Sequence, residues 1–201
     1  MALALYEESK IVLEVIALVM AIFALFVSYK GYSETKRPVF ARLSLAFIGL
    51  SINFLLQFLA DILMMYGLVV FYDYLRLGAS FFEMIGFFFL AFSHMVKVYQ
   101  EKKLAAFSFI IFNPAAAFKI LSIYFVFYAA LETTISYFKN RSKIILIIAL
   151  GLAGFAVQSI LSWMSEFVYN PLFYQLFSLV FQIIGIISFS VPIWIYYRGV
   201  K

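Results

Sequence analysis

The chain has 201 residues, of which 66% are hydrophobic, 21% are aromatic and only 12% are charged. A soluble domain is about half apolar and a quarter charged, so a water-soluble fold could not cover this much apolar surface. The absence of cysteine and the single histidine, His94, exclude disulfide frameworks, thiolate metal sites and bis-histidine haem within this chain.

Six apolar stretches are long enough to cross the roughly 30 Å hydrocarbon core of a bilayer, which takes about 20 helical residues. In chain order they are 11–29, 38–60, 77–97, 119–138, 144–165 and 172–197, and a weaker seventh stretch covers 104–118. Glu7 and Glu8 precede the first span and no small-residue cleavage site follows it, so this span is predicted to be retained and not to be a signal peptide. The sequence therefore predicts an all-α integral membrane protein, with residues 1–201 forming a single transmembrane domain.

The number of spans is decided by the basic residues, which lie in short clusters between the apolar runs. Cytoplasmic loops of membrane proteins carry an excess of lysine and arginine. Seven spans with the N-terminus outside place most basic residues in the cytoplasm, whereas six spans divide them evenly between the two sides. We therefore predict a seven-helix bundle in the cell membrane, with a cytoplasmic C-terminus and a short fourth helix. The same clusters favour membrane orientation over nucleic-acid binding, and no nucleic-acid partner is expected.

An internal repeat is predicted when the weak stretch is treated as a linker helix. Repeat one would cover 11–97, the linker helix 104–118 and repeat two 119–197. Three groups of residues support the alignment: Ser28-Tyr29-Lys30 with Ser136-Tyr137-Phe138-Lys139, then Leu50, Asn53, Gln57 and Asp61 with Gly151, Gly154, Gln158 and Ser162, and last Glu83 and Gly86 with Gln182 and Gly185. Because a single linker helix crosses the membrane once, both repeats would begin on the same side of the membrane and would therefore be parallel.

This 3+1+3 plan is similar to that of the SWEET and PQ-loop sugar transporters, although the proline-glutamine pair of that family is missing. A second resemblance rests on Ser28-Tyr29-Lys30-Gly31-Tyr32-Ser33-Glu34-Thr35 and the following Ala46-Phe47-Ile48-Gly49. These residues look like a small helical module of archaeal polytopic membrane proteins of unassigned function. The second likeness implies no activity.

Motifs for catalysis are missing from the sequence. It contains no phosphate-binding glycine loop, no H-E-x-x-H and no G-x-S-x-G, which argues against nucleotide hydrolysis and standard proteolysis. The last span, 172–197, has no lysine that could form a retinal Schiff base. We therefore expect no enzyme activity, no catalytic residue, no cofactor and no metal.

Polar residues within the spans are the remaining candidates for a site. Asn53, Gln57 and Asp61 recur at every fourth position and share one helix face. Glu83 and Gln182 occupy equivalent positions in the two repeats, each three residues before a glycine, and neither can face lipid favourably. The predicted ligand-binding residues are Glu83, Gln182, Asn53, Gln57, Asp61 and Gln158. Glu83 is further predicted to be a lone carboxylate that exchanges a proton. Helix packing and simple hydration are the structural alternatives for these residues.

Two classes of function fit this pattern. The first is a carrier or receptor that binds a small solute, with or without a proton, in a polar seam between the repeats. The second is a non-catalytic subunit that packs against other membrane proteins in a larger complex, and a seven-helix sensor remains a variant of the first. Beyond the lipid bilayer, the expected partners are therefore a small solute, a proton or neighbouring membrane proteins.

Overall fold

The computed structural model describes residues 2–94, 114–165, 167–168 and 171–199, which form six α-helices and their connections, with no strand among them. The helices are α1 (Ala2–Thr35), α2 (Pro38–Met65), α3 (Val69–His94), α4 (Pro114–Asn140), α5 (Lys143–Met164) and α6 (Leu172–Gly199). Each contains a segment long and apolar enough to cross a bilayer. The protein is thus an all-helical integral membrane protein.

The six strong apolar stretches of the sequence each correspond to one helix. Residues 104–113 lie outside the described part of the chain. Residues 114–118 form the first turn of α4, which begins at Pro114 and not at residue 119 as predicted. A proline at the first helical position lacks an N–H that would have no partner there anyway. The described residues therefore contain six helices and not the predicted seven.

Two connections between helices have the same construction. Lys36 follows α1 and Arg141 follows α4, and both have left-handed backbone angles, with φ of 54° and 51°. The N–H of Lys36 donates to the Tyr32 carbonyl at 2.8 Å, and the N–H of Arg141 donates to the Tyr137 carbonyl at 2.7 Å. The N–H of a residue in this conformation donates to a free carbonyl in the last turn, and the left-handed backbone ends the helix. Each helix is then followed within three residues by an antiparallel neighbour.

The six helices form a closed ring, in which consecutive helices pack together and α6 packs against α1. The directions of the helices follow from the register of their contacts. Phe81 packs on Phe118 and Phe88 on Phe125, both with ring centroids 5.3 Å apart. Because the contact advances by seven residues in both helices, α3 and α4 run parallel.

The other parallel neighbours are α1 and α6. Lys10 and Gln175 line one cavity, and further along both helices Met20 and Ile187 line one groove. By contrast, the short loops make α1 antiparallel to α2, α2 to α3, α4 to α5, and α5 to α6. The order of directions is therefore the same in α1–α3 as in α4–α6.

Glycines permit the closest helix contacts, at equivalent places in the two halves. A Cβ on Gly49 would lie 2.9 Å from the backbone nitrogen of Gly86 and 3.0 Å from the Phe82 carbonyl oxygen. A Cβ on Gly154 would lie 3.2 Å from the Phe181 carbonyl oxygen. Backbones of α2 and α3, and of α5 and α6, can approach this closely only where one side chain is missing.

Burial follows the same pattern in the two halves. The buried positions of α1 and α4 match at an offset of 105 residues: Glu14 with Lys119, Ala17 with Ser122, Ala21 with Val126, Ala24 with Ala129 and Ser28 with Thr133. The same offset relates the buried Ser44, Ala46, Phe47, Gly49, Leu50, Asn53 and Phe54 of α2 to Ala149, Gly151, Leu152, Gly154, Phe155, Gln158 and Ser159 of α5. At an offset of 99, Ala79, Glu83, Gly86, Phe87, Leu90 and Ala91 of α3 correspond to Ser178, Gln182, Gly185, Ile186, Phe189 and Ser190 of α6.

These offsets agree only in part with those predicted from the sequence. The offset of 99 between α3 and α6 is the predicted one. Between α2 and α5 the predicted alignment paired Leu50 with Gly151, whereas burial and glycine contacts pair Leu50 with Phe155. The sequence alignment of these two helices therefore differs from the burial pattern by four residues, which is about one helical turn.

Candidate functional site

A large cavity opens at the end of the bundle where α1, α3 and α6 begin, and we refer to it as the vestibule. Its volume is about 650 Å³, and its lining combines charged, amide and apolar side chains: Lys10, Ile11, Asp61, Met64, Met65, Tyr72, Arg76, Pro171 and Gln175. Cavities of this volume accommodate small organic molecules. The mixed lining suits a solute with both polar and apolar parts.

A second, much smaller cavity lies deeper in the bundle, and we refer to it as the narrow cavity. It shares Lys10, Arg76 and Gln175 with the vestibule, and its volume is about 30 Å³. Its further lining is almost entirely polar: Glu14, Gln57, Gln158, Ser162, Ser165, Ser178, Leu179 and Gln182. A polar space of this volume holds about one water molecule. The vestibule and the narrow cavity together form a funnel from one end of the bundle towards its centre.

Three charged side chains meet where the two cavities join. Lys10 of α1 forms an ion pair with Asp61 of α2. The Lys10 Nζ also lies 3.8 Å from Oε1 of Glu14, one turn further along α1. Glu14 is only 2% exposed, and its Oε2 has no hydrogen-bond donor among the described residues. The ammonium group of Lys10 thus lies between the carboxyl groups of Glu14 and Asp61.

A second cation lines both cavities. The Arg76 guanidinium of α3 lies over the ring of Tyr72, 5.3 Å from its centroid, in a cation–π contact. Its Nε is buried and finds no hydrogen-bond acceptor in the described part of the chain. A buried donor without a partner costs about 1–3 kcal/mol. Arg76 is therefore positioned to bind an acceptor group of a solute.

Two buried amides add further donors. The Nε2 of Gln57 donates to Oδ1 of Asn53 at 2.8 Å. The other amide atom of Asn53, Nδ2, has no partner among the residues described, and neither has Nε2 of Gln182. Asn53 is 0% and Gln182 1% exposed. Most buried polar groups in proteins are hydrogen-bonded, so unpartnered ones call for a water, an ion or a ligand.

Glu83 has partners that the sequence did not predict. Lys119 of α4 donates to Oε2 of Glu83 at 2.9 Å, and Nε2 of Gln158 donates to Oε1 at 3.2 Å. Lys119 also donates to the Ser162 hydroxyl at 3.0 Å. The prediction that Glu83 is a lone carboxylate is therefore wrong, because Lys119 neutralises it inside the bundle. Among the described residues no hydrogen bond joins Gln182 to Glu83, and Gln182 instead lines the narrow cavity.

Aromatic rings close the centre of the bundle beyond the narrow cavity. Phe47 packs edge-on against Phe189, and Phe87 packs against Phe155, with centroids 6.2 Å and 5.5 Å apart. Phe155 and Phe189 are in turn 6.0 Å apart. All four are at most 2% exposed. The funnel is thus open at one end of the bundle and blocked by phenylalanine in the middle.

The six residues predicted to bind ligand are only partly brought together. Three of them, Gln57, Gln158 and Gln182, line the narrow cavity, while Asp61 lines the vestibule. Asn53 is hydrogen-bonded to Gln57, and Glu83 to Gln158. All six thus belong to one connected polar region, with Glu83 in an ion pair at its edge.

Sequence reasoning missed four charged residues of this region, namely Lys10, Glu14, Arg76 and Lys119. None of the four was among the residues predicted to bind ligand. A detectable signal was present in Lys10 and Glu14, because an i, i+4 pair of opposite charge within an apolar run is rarely tolerated without burial in protein.

No family model matches this chain, and neither a curated protein nor a solved structure shows significant similarity to it.

Proposed function

We propose that the protein is a membrane carrier or receptor, without enzymatic activity, that binds a small polar solute in the funnel between two three-helix units. The observation that carries the proposal is the funnel itself. A vestibule of about 650 Å³ leads to a buried polar cavity whose lining includes Glu14 and Gln182, each with an unpartnered polar atom. A purely structural bundle would pair these groups or replace them with apolar ones.

The two units of the proposal are α1–α3 and α4–α6. Support comes from their common order of helix directions, their matching glycine contacts and their matching burial at offsets of 105 and 99 residues. Helices that run in the same order and direction are related by rotation about an axis along the membrane normal. Solute sites of repeat transporters lie at the interface between such units, as the narrow cavity does here.

A seventh crossing follows from the parallel packing of α3 and α4. Because the two helices run in the same direction, His94 and Pro114 lie at opposite ends of the bundle. We propose that the chain crosses the membrane once more between these residues. The residues concerned, 95–113, lie outside the described ranges and include most of the predicted linker helix 104–118.

The orientation that we propose places the vestibule outside the cell. The opposite end of the bundle carries the basic residues Lys30, Lys36, Arg37, Arg42, Lys139, Arg141 and Lys143. Basic residues next to spans favour the cytoplasm. Solute would therefore enter the vestibule from outside, and the phenylalanine rings would separate it from the cytoplasm.

The chemistry of the lining suggests the class of solute. Arg76 Nε, Asn53 Nδ2 and Gln182 Nε2 offer donors, whereas Glu14 Oε2 offers an acceptor. A solute that carries a carboxylate or several hydroxyl groups would satisfy the donors. Only a small group could enter the narrow cavity, so the remainder would lie in the vestibule against Met64, Met65 and Tyr72.

A stability screen of the purified protein tests this proposal. The probes are a panel of small carboxylic acids, amino acids and sugars, each added to the wild type and to Arg76→Gln. Glutamine is chosen because Gln175 occupies the equivalent position of the other unit. A ligand at 100 times its Kd stabilises a protein by about 2.7 kcal/mol, which raises Tm by about 5–11 °C for a chain of this size.

The expected result is that at least one probe raises Tm in the wild type and binds about 10–100-fold more weakly to Arg76→Gln, since a hydrogen bond to a charged group is worth about 1.5–3 kcal/mol. Arg42→Gln is the matched control, because Arg42 lies near the opposite end and contacts Phe92. If no probe shifts Tm, or if Arg42→Gln weakens binding as much as Arg76→Gln, the proposed site is wrong.

A further inference from the structure

We propose that Glu14 and Asp61 form a proton-binding site, in which the two carboxyl groups share a single proton where the vestibule meets the narrow cavity. The site would exchange this proton with solution through the vestibule. Only the coupling of the proton to solute rests on the proposed function. The proton site itself depends on the geometry of four side chains.

The first step of the argument is the meeting of two carboxyl groups from different helices. Glu14 of α1 and Asp61 of α2 both lie within ion-pair distance of the same ammonium group, that of Lys10. An ionised carboxylate has only acceptor atoms, so two of them cannot form a hydrogen bond. With one proton between them, one group donates and the other accepts. The proton also removes the repulsion between two like charges in a region shielded from water.

The second step concerns the cations that face the pair. Lys10 of α1 forms its ion pair with Asp61 and lies 3.8 Å from Glu14. Arg76 of α3 lines both cavities but forms no ion pair with either carboxylate among the described residues. From α6 the pair is faced by the neutral amides of Gln175 and Gln182. One ammonium in direct contact thus serves two carboxyl groups, and Oε2 of Glu14 remains without a donor.

The third step compares Glu14 with its counterpart in the other half. Lys119 occupies the position in α4 that Glu14 occupies in α1, and it forms a direct ion pair with Glu83. Where α6 packs on α1, the counterpart of Glu83 is Gln182, which carries no charge. Glu14 therefore meets no cation from α6, and the one ammonium in contact with it, that of Lys10, is shared with Asp61. A proton supplies the missing charge.

The fourth step excludes a metal cation as the bound species and identifies a path by which the proton can exchange with the vestibule. Lys10 already contacts Asp61, and its ammonium group repels a second cation at the same oxygens. A proton needs no coordination shell and adds no volume. The narrow cavity beside Glu14 has space for about one water molecule, which can carry a proton between the carboxyl group and the vestibule.

Infrared spectroscopy of the purified, solute-free protein tests the inference. The C=O stretch of a protonated carboxyl group is separated from the bands of ionised carboxylates, and it shifts when glutamate or aspartate is isotopically labelled. The wild type should show such a band at neutral pH. Glu14→Gln should abolish it, because the remaining Asp61 is then fully paired with Lys10. Asp61→Asn should abolish it as well, because Glu14 then has Lys10 to itself.

Glu132→Gln is the matched control, since it removes another carboxyl group from a spanning helix and should leave the band unchanged. Three outcomes would overturn the inference: a wild type without the band, a band that survives in Asp61→Asn, or a band that disappears in Glu132→Gln. A wild-type spectrum without the band overturns the inference even if a variant fails to fold. Because no solute is added, the expected spectra combined with a negative ligand screen would support the proton site and refute the carrier.

Discussion

The buried ion pair between Glu83 and Lys119 allows a quantitative prediction. The side chain of Glu83 is 0% exposed and that of Lys119 is 8% exposed, and their charged atoms are 2.9 Å apart. The test compares Lys119→Met, Glu83→Gln and the double variant. Methionine keeps most of the length of the lysine side chain, and glutamine keeps the shape of glutamate. The exchanges thus remove charge with little change in volume.

The expected magnitude follows from the burial of both partners. Removing one partner of a buried pair leaves an uncompensated charge and costs about 3–5 kcal/mol. For a chain of this size, that corresponds to a fall in Tm of about 6–20 °C. Lys119→Met should reach this range, because Glu83 then keeps only Gln158 as a donor. The double variant should regain most of the loss, since replacing both charges of a buried pair is often nearly neutral.

Thermal unfolding in detergent, followed by tryptophan fluorescence, measures these changes. Lys139→Met is the control, because Lys139 is exposed on the same helix and its loss should change Tm by no more than about 1–2 °C. The decisive quantity is the difference between the double variant and the sum of the two single variants. If the single losses add in the double variant, the two charges do not interact and the buried pair is refuted.

Two further predictions concern helix packing and topology. Gly49→Ala should destabilise the protein by about 1–3 kcal/mol in thermal unfolding, because the new Cβ meets backbone atoms of α3. The control Gly78→Ala should be neutral or stabilising, because its Cβ meets only the tip of the Leu56 side chain. Equal effects of the two variants would contradict the close approach of α2 and α3 at Gly49. In the cysteine-free background, cysteines at Ser33 and Ser142 should resist an impermeant thiol reagent in intact cells while one at Tyr66 reacts. Labelling of Ser142 without Ser33 would exclude the seventh crossing.

The helices could be predicted from the sequence because their signal is local. Apolar runs set the positions of all six, and Pro38 marks the start of α2 as expected. The limits were less accurate, since α1 and α3 extend well beyond the apolar runs with polar turns. Such turns carry no apolar signal, yet they continue the helix because nothing in the sequence stops it before Lys36 or after Gly67.

The polar region was harder to predict because its contacts are not local. Glu83 and Lys119 are 36 residues apart, and Gln158 is 75 residues from Glu83. Their pairing depends on the parallel packing of α3 and α4, which a sequence pattern does not reveal. The predicted repeat alignment of α2 with α5 differs from the burial pattern for a related reason. The glycines of α5 can be paired with residues of α2 at an offset of 101 or of 105 residues, and the helix contacts that favour 105 are not visible in the sequence.

The position of the narrow cavity follows from differences between the α3–α4 and α6–α1 interfaces, which the proposed repeat makes equivalent. Where α3 packs on α4, the long side chain of Lys119 reaches Glu83 and fills the space between the helices. Where α6 packs on α1, the shorter Glu14 and the neutral Gln182 take these places, and a space for about one water molecule remains.

The same contrast continues further along both interfaces. Phe88 and Phe125 pack edge-to-face between α3 and α4. At the positions that the proposed repeat makes equivalent in α6 and α1, Ile187 and Met20 line an apolar groove of about 260 Å³. One interface is thus closed by an ion pair and aromatic rings, and the other retains unpartnered polar atoms and empty volume. A site that must release and rebind a solute or a proton requires the second kind of interface, because groups that are fully paired within the protein have nothing left to offer a ligand.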